Sequence, residues 1–157
     1  NLNPLKINSK CLTGFAGITE FGVINEPILI KSFDEYLANF GGFDSVGILP
    51  YSVYSYFRNG GTECIVVRIA DEENVRAATY KAKARNGYIK LTAKTPGKWG
   101  NNIVISIWKE NNDFFSLTVG YKTKTESFIH LSYNREDSRY FESYINKNHR
   151  KWVIKNT

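Results

Sequence analysis

The sequence predicts a mixed α/β (α+β) fold: a mixed sheet with a βααβ crossover, an antiparallel β-meander lobe, and a C-terminal helix and strand. Two observations predict it. Two apolar, strand-like segments, residues 11–18 and 64–67, are separated by two short helical patterns. Strands joined by a helical connection of this length are usually parallel neighbours in one sheet. Beyond residue 77, apolar and polar residues alternate instead, which is typical of half-buried antiparallel strands.

The first helix has clear start and stop signals. An extended arm, residues 1–10, precedes the first strand, and a turn follows it near Pro27. Ser32 and Glu35 then form a capping box, which predicts a helix that begins at Phe33 and in which Glu35 reaches back to the cap amide. Its apolar stripe ends at Gly41-Gly42, a left-handed stop.

The second helix leads into a buried strand. Pro50 suits its first residue, Val53, Tyr54 and Phe57 form its inner face, and Gly60-Gly61 ends it. Residues 64–67 are then continuously apolar, which predicts a central strand covered on both faces. Arg68 interrupts that run, so we expect the strand to reach the sheet edge or a polar pocket there.

The meander lobe begins with an ambiguous segment. Residues 77–85 suit a helix by composition but alternate like a strand, and we predict a strand because a clear one follows the turn at Asn86-Gly87. Loop 95–102 leads into further strands. The apolar face of the lobe is formed by Ile89, Leu91, Ala93, Ile103, Ile105, Ile107, Phe115, Leu117 and Val119.

The C-terminal part is predicted to be one helix and one strand. The helix starts near Asp137, and residues 152–154 form the strand, which is expected to return to the α/β sheet. We therefore expect a single domain over 11–157 after the arm 1–10. Within it, 78–131 is an antiparallel subdomain inserted between α/β parts 11–70 and 132–157.

Composition excludes several functional classes. The chain has 157 residues and a net charge of +6, and no apolar run approaches the roughly 18 residues that a membrane helix needs. Cys11 and Cys64 lack metal-site spacing, which indicates unbridged apolar side chains and a reducing, intracellular origin. Gly97-Lys98-Trp99 lacks the upstream glycine and hydroxyl of a phosphate loop. We predict no enzyme, cofactor, metal, membrane or nucleic-acid partner.

Two rival classes stay open. The lysines occur singly along strand-like segments, which favours a solvated sheet face. A basic nucleic-acid-binding accessory module would instead need one contiguous positive face. A cryptic α/β enzyme would need a deep pocket with at least two polar groups of perturbed pKa.

Several motifs occur in a characteristic order along nearly the whole chain. They are TGFAG (13–17), NEPILI (25–30), SFDEY (32–36), FGG (40–42), YSVYSYF (51–57), NGG (59–61), CIVVRI (64–69), AKTPGKWGN (93–101) and RYFE (139–142). In this order they resemble the sheath proteins of contractile phage tails, contractile bacteriocins and injection systems. Gly22-Val23-Ile24-Asn25 departs from that pattern, because the family more usually has Gly-Pro before the Asn.

The resemblance implies a structural subunit without a catalytic site. Its structural motif residues are Gly41, Gly42, Gly60, Gly61, Pro96, Gly97, Trp99, Gly100 and Asn101. The inter-subunit arm that it implies, which links neighbours by strand addition, is formed by Asn1, Leu2, Asn3, Pro4, Leu5, Lys6 and Ile7.

The implied partners are other sheath subunits in a helical homo-oligomer. Tail tube and baseplate are reached through domains absent from this sequence, in a particle assembled in the bacterial cytoplasm. The lack of an initiator Met and the end at Thr157 lead us to expect the N-terminal or outer portion of a longer sheath protein. We expect that portion to be monomeric by itself.

Overall fold

The computed structural model describes residues 12–43, 47–84, 87–148 and 155–156. These residues divide into two compact units. The first unit comprises the described residues up to 70 apart from 20–22, and the second comprises 20–22 and the described residues from 71 onwards. Helices and strands occur in both units, and the predicted α+β class is confirmed.

The first unit is a three-stranded sheet covered by two helices. Its elements are β1 (Thr13–Gly17), β2 (Pro27–Ile30), α1 (Phe33–Phe40), α2 (Leu49–Arg58) and β3 (Cys64–Arg68). The strand order is β1-β3-β2, with β1 parallel and β2 antiparallel to the central β3. The helical connection between β1 and β3 therefore produces the predicted parallel pair.

Local signals at α1 agree with the sequence, with one change. The Glu35 amide donates to Ser32 Oγ at 3.1 Å, as a capping box requires. The Glu35 carboxylate, however, accepts from the Lys31 amide at 2.8 Å, one residue before the expected cap amide. The box still fixes the start of α1 at Phe33. Helix α2 begins at Leu49, so Pro50 is its second residue.

The core of the first unit lies on one face of its sheet. Its fully buried members are Ile30, Tyr36, Phe40, Leu49, Val53, Cys64 and Val66. Along β3 the pattern alternates, because Ile65 and Val67 on the opposite face are only half-buried. The prediction that this strand is covered on both faces is therefore wrong for the described residues. Arg68, the last residue of β3, is buried.

The second unit contains two three-stranded antiparallel sheets. The strands are β4 (Thr79–Ala84), β5 (Gly87–Thr92), β6 (Val104–Lys109), β7 (Phe114–Tyr121), β8 (Lys124–Ser132) and β9 (Lys155–Asn156). One sheet has the order β4-β5-β9 and the other β6-β7-β8. A 3₁₀ helix, Lys98–Asn102, precedes β6, and α3 (Phe141–Asn148) follows β8.

The two sheets share one apolar core. It joins Ile89 and Leu91 of β5 to Phe115 and Leu117 of β7, with Ile145 of α3 packed against them. Alternation of buried and half-buried residues along β7 explains why the sequence pattern located these strands. The strand directions were predicted, but the expected meander is in fact two sheets, because β6 pairs with β7 and not with β5.

Of the two C-terminal expectations, the helix start is wrong and the strand lies outside the described residues. Asp137 lies in a turn, where its carboxylate accepts from the Arg139 amide at 2.8 Å, and α3 begins four residues later at Phe141. Residues 152–154 lie outside the described residues. The adjoining strand β9 pairs with β5 of the second unit and not with the α/β sheet.

Truncation of a buried side chain should destabilise the second unit more than truncation of an exposed one. Leu117 is 1% exposed, so Leu117→Ala should lower the free energy of unfolding by about 2–5 kcal/mol. Val104 is 66% exposed, and Val104→Ala should cost less than about 1 kcal/mol. Urea titration followed by circular dichroism measures both. Equal losses for the two variants would contradict this core assignment.

Candidate functional site

The motif glycines of the first unit end the helices. Gly41 has a φ of 88°, and its amide donates to Leu37 O at 3.2 Å. Gly60 has a φ of 91°, and the next amide, of Gly61, donates to Tyr56 O at 3.0 Å. Residues other than glycine rarely adopt such backbone conformations, so the turns require glycine at these two positions for steric reasons.

In the second unit, the predicted motif 96–101 surrounds a buried tryptophan. The Trp99 ring lies 5.4 Å from the Phe21 ring and 5.4 Å from the Tyr121 ring, centroid to centroid. Its indole Nε1 donates to Thr95 O at 3.0 Å, which satisfies the only polar group of the side chain. We call Trp99, Phe21, Ala93 and Tyr121 the Trp99 cluster.

This cluster fixes residues 20–22 within the second unit. The Tyr121 hydroxyl donates to the Glu20 carboxylate, and Lys122 Nζ lies 2.7 Å from Glu20 Oε1. The Gly22 amide donates to Thr95 Oγ1 at 3.2 Å. The sequence separations are 101 residues for Tyr121–Glu20 and 73 for Gly22–Thr95, so sequence periodicity contained no signal for these contacts.

The remaining motif residues shape the loop around Trp99. Gly97 has a φ of 136°, and its amide donates to Arg76 O at 3.1 Å. A Cβ added to Gly100 would lie 2.8 Å from the Ala78 Cβ, closer than side chains normally approach. Pro96 is half-buried and Asn101 is exposed. These residues therefore build a loop conformation, and the predicted arm Asn1–Ile7 lies outside the described residues.

An exposed aromatic surface lies on the helices of the first unit. Phe33 contacts Phe43 and Tyr54 at ring-centroid distances of 5.5 and 5.0 Å, and Phe43 contacts Tyr51 at 4.8 Å. Tyr54 was predicted to face inward, but it is 40% exposed and Tyr51 is 56% exposed. The signal that could have revealed this surface is the spacing of Tyr51 and Tyr54, three residues apart on the face opposite Val53.

A strained bulge interrupts the pairing of β7 with β8. Phe115 pairs with Leu131 and Leu117 pairs with Phe128, so β8 contains one extra residue. His130 in this bulge has a φ of 55°, which is uncommon for a residue other than glycine. Glu110 holds it: its carboxylate accepts from the His130 amide at 3.0 Å and lies 2.9 Å from His130 Nδ1.

The electrostatics of the bulge favour an ionised Glu110. The Ser116 hydroxyl donates to this carboxylate, and that bond is the main reason why the pKa of Glu110 lies below its usual value; the contacts with His130 lower it further. On the other side of the bulge, Arg139 Nε donates to His130 O at 2.9 Å. The arrangement stabilises an irregular backbone.

The described residues contain few groups that could form another kind of functional site. No group of three or more His, Cys, Asp or Glu side chains among them could hold a metal ion. No described helix is long and apolar enough to cross a membrane. Cys64 is buried with a free thiol, and burial raises its pKa, which makes it a poor nucleophile.

Solved structures share this fold. A sheath tail protein of Listeria innocua matches with a TM-score of 0.51 and 13% identity over 93% of this chain. A sheath tail protein of Desulfitobacterium hafniense gives the same three values. The chain spans 30% of the length of the first and 31% of the second. No family model and no curated protein matches the sequence. At this identity the likeness shows a shared fold, which agrees with the resemblance found in the motifs.

The close packing at Gly100 should make it intolerant of a single methyl group. Gly100→Ala should lower the free energy of unfolding by about 1–3 kcal/mol, because Ala78 Cβ has no flexible side chain that could move aside. Gly14 has nothing within 4 Å of an added Cβ, so Gly14→Ala should change stability by less than about 0.5 kcal/mol. Thermal and urea unfolding measure both. Similar tolerance at the two sites would contradict the packing described for loop 93–101.

The bulge should make stability depend on pH through Glu110. A carboxyl whose pKa is lower in the folded state than its ordinary 4.5 stabilises the fold above that pH, and the contribution is lost as pH falls through the folded pKa. Glu110→Gln should therefore lower the free energy of unfolding at neutral pH. This deficit relative to the unchanged chain should shrink as the pH is lowered below 4.5.

Urea titrations across this range measure the deficit, with Glu136→Gln at an exposed position as the matched control. A deficit that is constant with pH would show that the Glu110 carboxylate does not stabilise the bulge by its charge.

Proposed function

We propose that this chain is the N-terminal or outer portion of a contractile tail sheath subunit. The observation that carries the proposal is the fold shared with sheath tail proteins over 93% of the chain. The ordered motifs along the sequence support it independently of the fold. The proposed role is mechanical, so it requires no cofactor and no catalytic residue.

In this proposal many copies stack helically around a rigid tail tube. The sheath is held in a metastable extended state and collapses to a shorter, wider state, which drives the tube through a target envelope. The free energy for this step comes from two alternative packings of the same subunit, a two-state change of interfaces. Each unit must then stay rigid while its contacts change, and the buried cores of both units suit that requirement.

In this proposal three features of the chain have a mechanical role. Asn1–Ile7 would link neighbours by strand addition, and the glycine and Trp99 motifs would keep the scaffold rigid. Exposed lysines would meet acidic patches of adjacent copies, which makes assembly sensitive to salt. Because the chain spans about 30% of the length of the solved sheath proteins, contacts with tail tube and baseplate are assigned to other segments. The domain limits inferred from the sequence, 11–157 with 78–131 inserted, are part of the same proposal.

A basic nucleic-acid-binding module is the alternative function. The feature that favours it is a group of lysines on β4 and β5, where Lys81 lies directly opposite Lys90. Like charges in this arrangement repel one another unless an anion is bound. The alternative predicts a protein associated with nucleic acid, whereas the sheath proposal predicts a periodic component of a particle.

Immunogold labelling distinguishes the two functions. Antibody raised against this chain should decorate contractile particles from the source along the full length of the tail at a regular axial repeat. The label should move with the sheath when contraction is triggered, because every subunit carries the epitope. Antibody absorbed with the purified chain is the control. Label confined to one end of the particle, or found on nucleic acid and not on tails, would refute the sheath proposal.

A further inference from the structure

One side of the second unit is open. A cleft of about 590 Å³ lies between β4 of one sheet and β6 of the other, and a second cleft of about 270 Å³ shares Tyr80 and Ile105 in its walls. Both strands are terminal in their sheets: β4 pairs with β5, and β6 pairs with β7. Within the described residues, the outer backbone groups of β4 and β6 have no strand to pair with.

The side chains below this opening are incompletely covered. Ile105 and Ile107 lie on the inner face of β6 and are only half-buried. Their direct partners across the ladder, Val119 and Leu117, are buried. The four residues point into the same core, so the difference arises because β6 lacks a neighbour on its outer side.

The two edges differ in how they are protected. Edge strands commonly carry lysines, which prevent pairing with another chain, and β4 has Lys81 and Lys83 in this role. From Val104 to Trp108, β6 carries no charged residue, and its first lysine is Lys109. The backbone of β6 is therefore the edge that can accept another strand.

The charge at the cleft indicates which kind of incoming strand β6 can bind. Lys81, Lys83 and Lys109 line it, and no carboxylate does so within the described part of the chain. Lys109 Nζ lies 3.1 Å from Asn112 Oδ1, so a neutral group holds this ammonium at the cleft. The neighbouring carboxylate of Glu110 is bound to Ser116 and His130 of the bulge.

From these observations we propose that β6 receives an extended segment of a partner protein, in which apolar and acidic residues alternate. Its backbone pairs with the six residues of β6, its apolar side chains cover Ile105 and Ile107, and its carboxylates meet Lys81 and Lys83 of β4. Alternation is required because successive side chains of a strand point to opposite faces. This inference does not depend on the sheath proposal, because it rests on the edge and its charge.

A synthetic peptide tests the proposal. The probe is the acetylated and amidated heptapeptide Glu-Val-Glu-Val-Glu-Val-Glu, and the control is a peptide of the same composition with its Val and Glu residues in two blocks. The alternating peptide should bind the full chain saturably and slow hydrogen exchange of the β6 amides, and the block peptide should not. Binding should weaken as salt is added.

Charge reversal provides the matched variants. Lys81→Glu together with Lys83→Glu should weaken binding by at least about tenfold, because both residues would then repel the peptide. Lys94→Glu together with Lys98→Glu, at exposed positions outside the cleft, changes the net charge equally and should leave binding nearly unchanged. Circular dichroism confirms that all variants are folded.

Several results would overturn the proposal. They are no binding of the alternating peptide, equal binding of the block peptide, equal weakening by the double variant at Lys94 and Lys98, or protection of amides away from β6. Displacement of the peptide by a short oligothymidylate at equal concentration would show instead that the lysines form a nucleic-acid site.

Discussion

The structure depends on one constraint: within the described residues each sheet has three strands, so each sheet must bury one face and leave two edges. In the first unit α1 and α2 provide the cover. In the second unit the two sheets cover each other through Leu91, Phe115 and Leu117. In the described part of the chain, the features available for interaction are helix surfaces, strand edges and the clefts beside β4 and β6.

Polar groups are accommodated differently in the two units. The Tyr36 hydroxyl is buried without a hydrogen-bond partner among the described residues, and burial raises the pKa of Tyr36 well above its usual value. Such a group costs about 1–3 kcal/mol, which the surrounding aromatic packing of Phe33 and Phe40 must offset. In the bulge of β8, by contrast, the carboxylate of Glu110 accepts hydrogen bonds from the His130 amide and from the Ser116 hydroxyl, so the polar groups at this irregular backbone have partners.

The sequence predicted what local physics determines. Helix ends follow from Ser32, Gly41 and Gly60, and the strands of the second unit follow from alternation along residues such as those of β7. The expected meander would pair β5 with β6 because they are adjacent in sequence, but adjacency does not decide which sheet a strand joins. The contacts that attach Phe21 to Trp99 depend on packing between distant segments. No pattern within either segment encodes these contacts.

The attachment of residues 20–22 has a consequence for biosynthesis. The chain enters the second unit for three residues, returns to the first unit until residue 70, and only then supplies the rest of the second unit. During synthesis Phe21 leaves the ribosome about 80 residues before Trp99. Its apolar ring therefore cannot pack against Trp99 until that residue has been translated. The residues from 71 onwards therefore cannot complete the second unit without residues 20–22. The order of synthesis makes the first unit the earlier one to form.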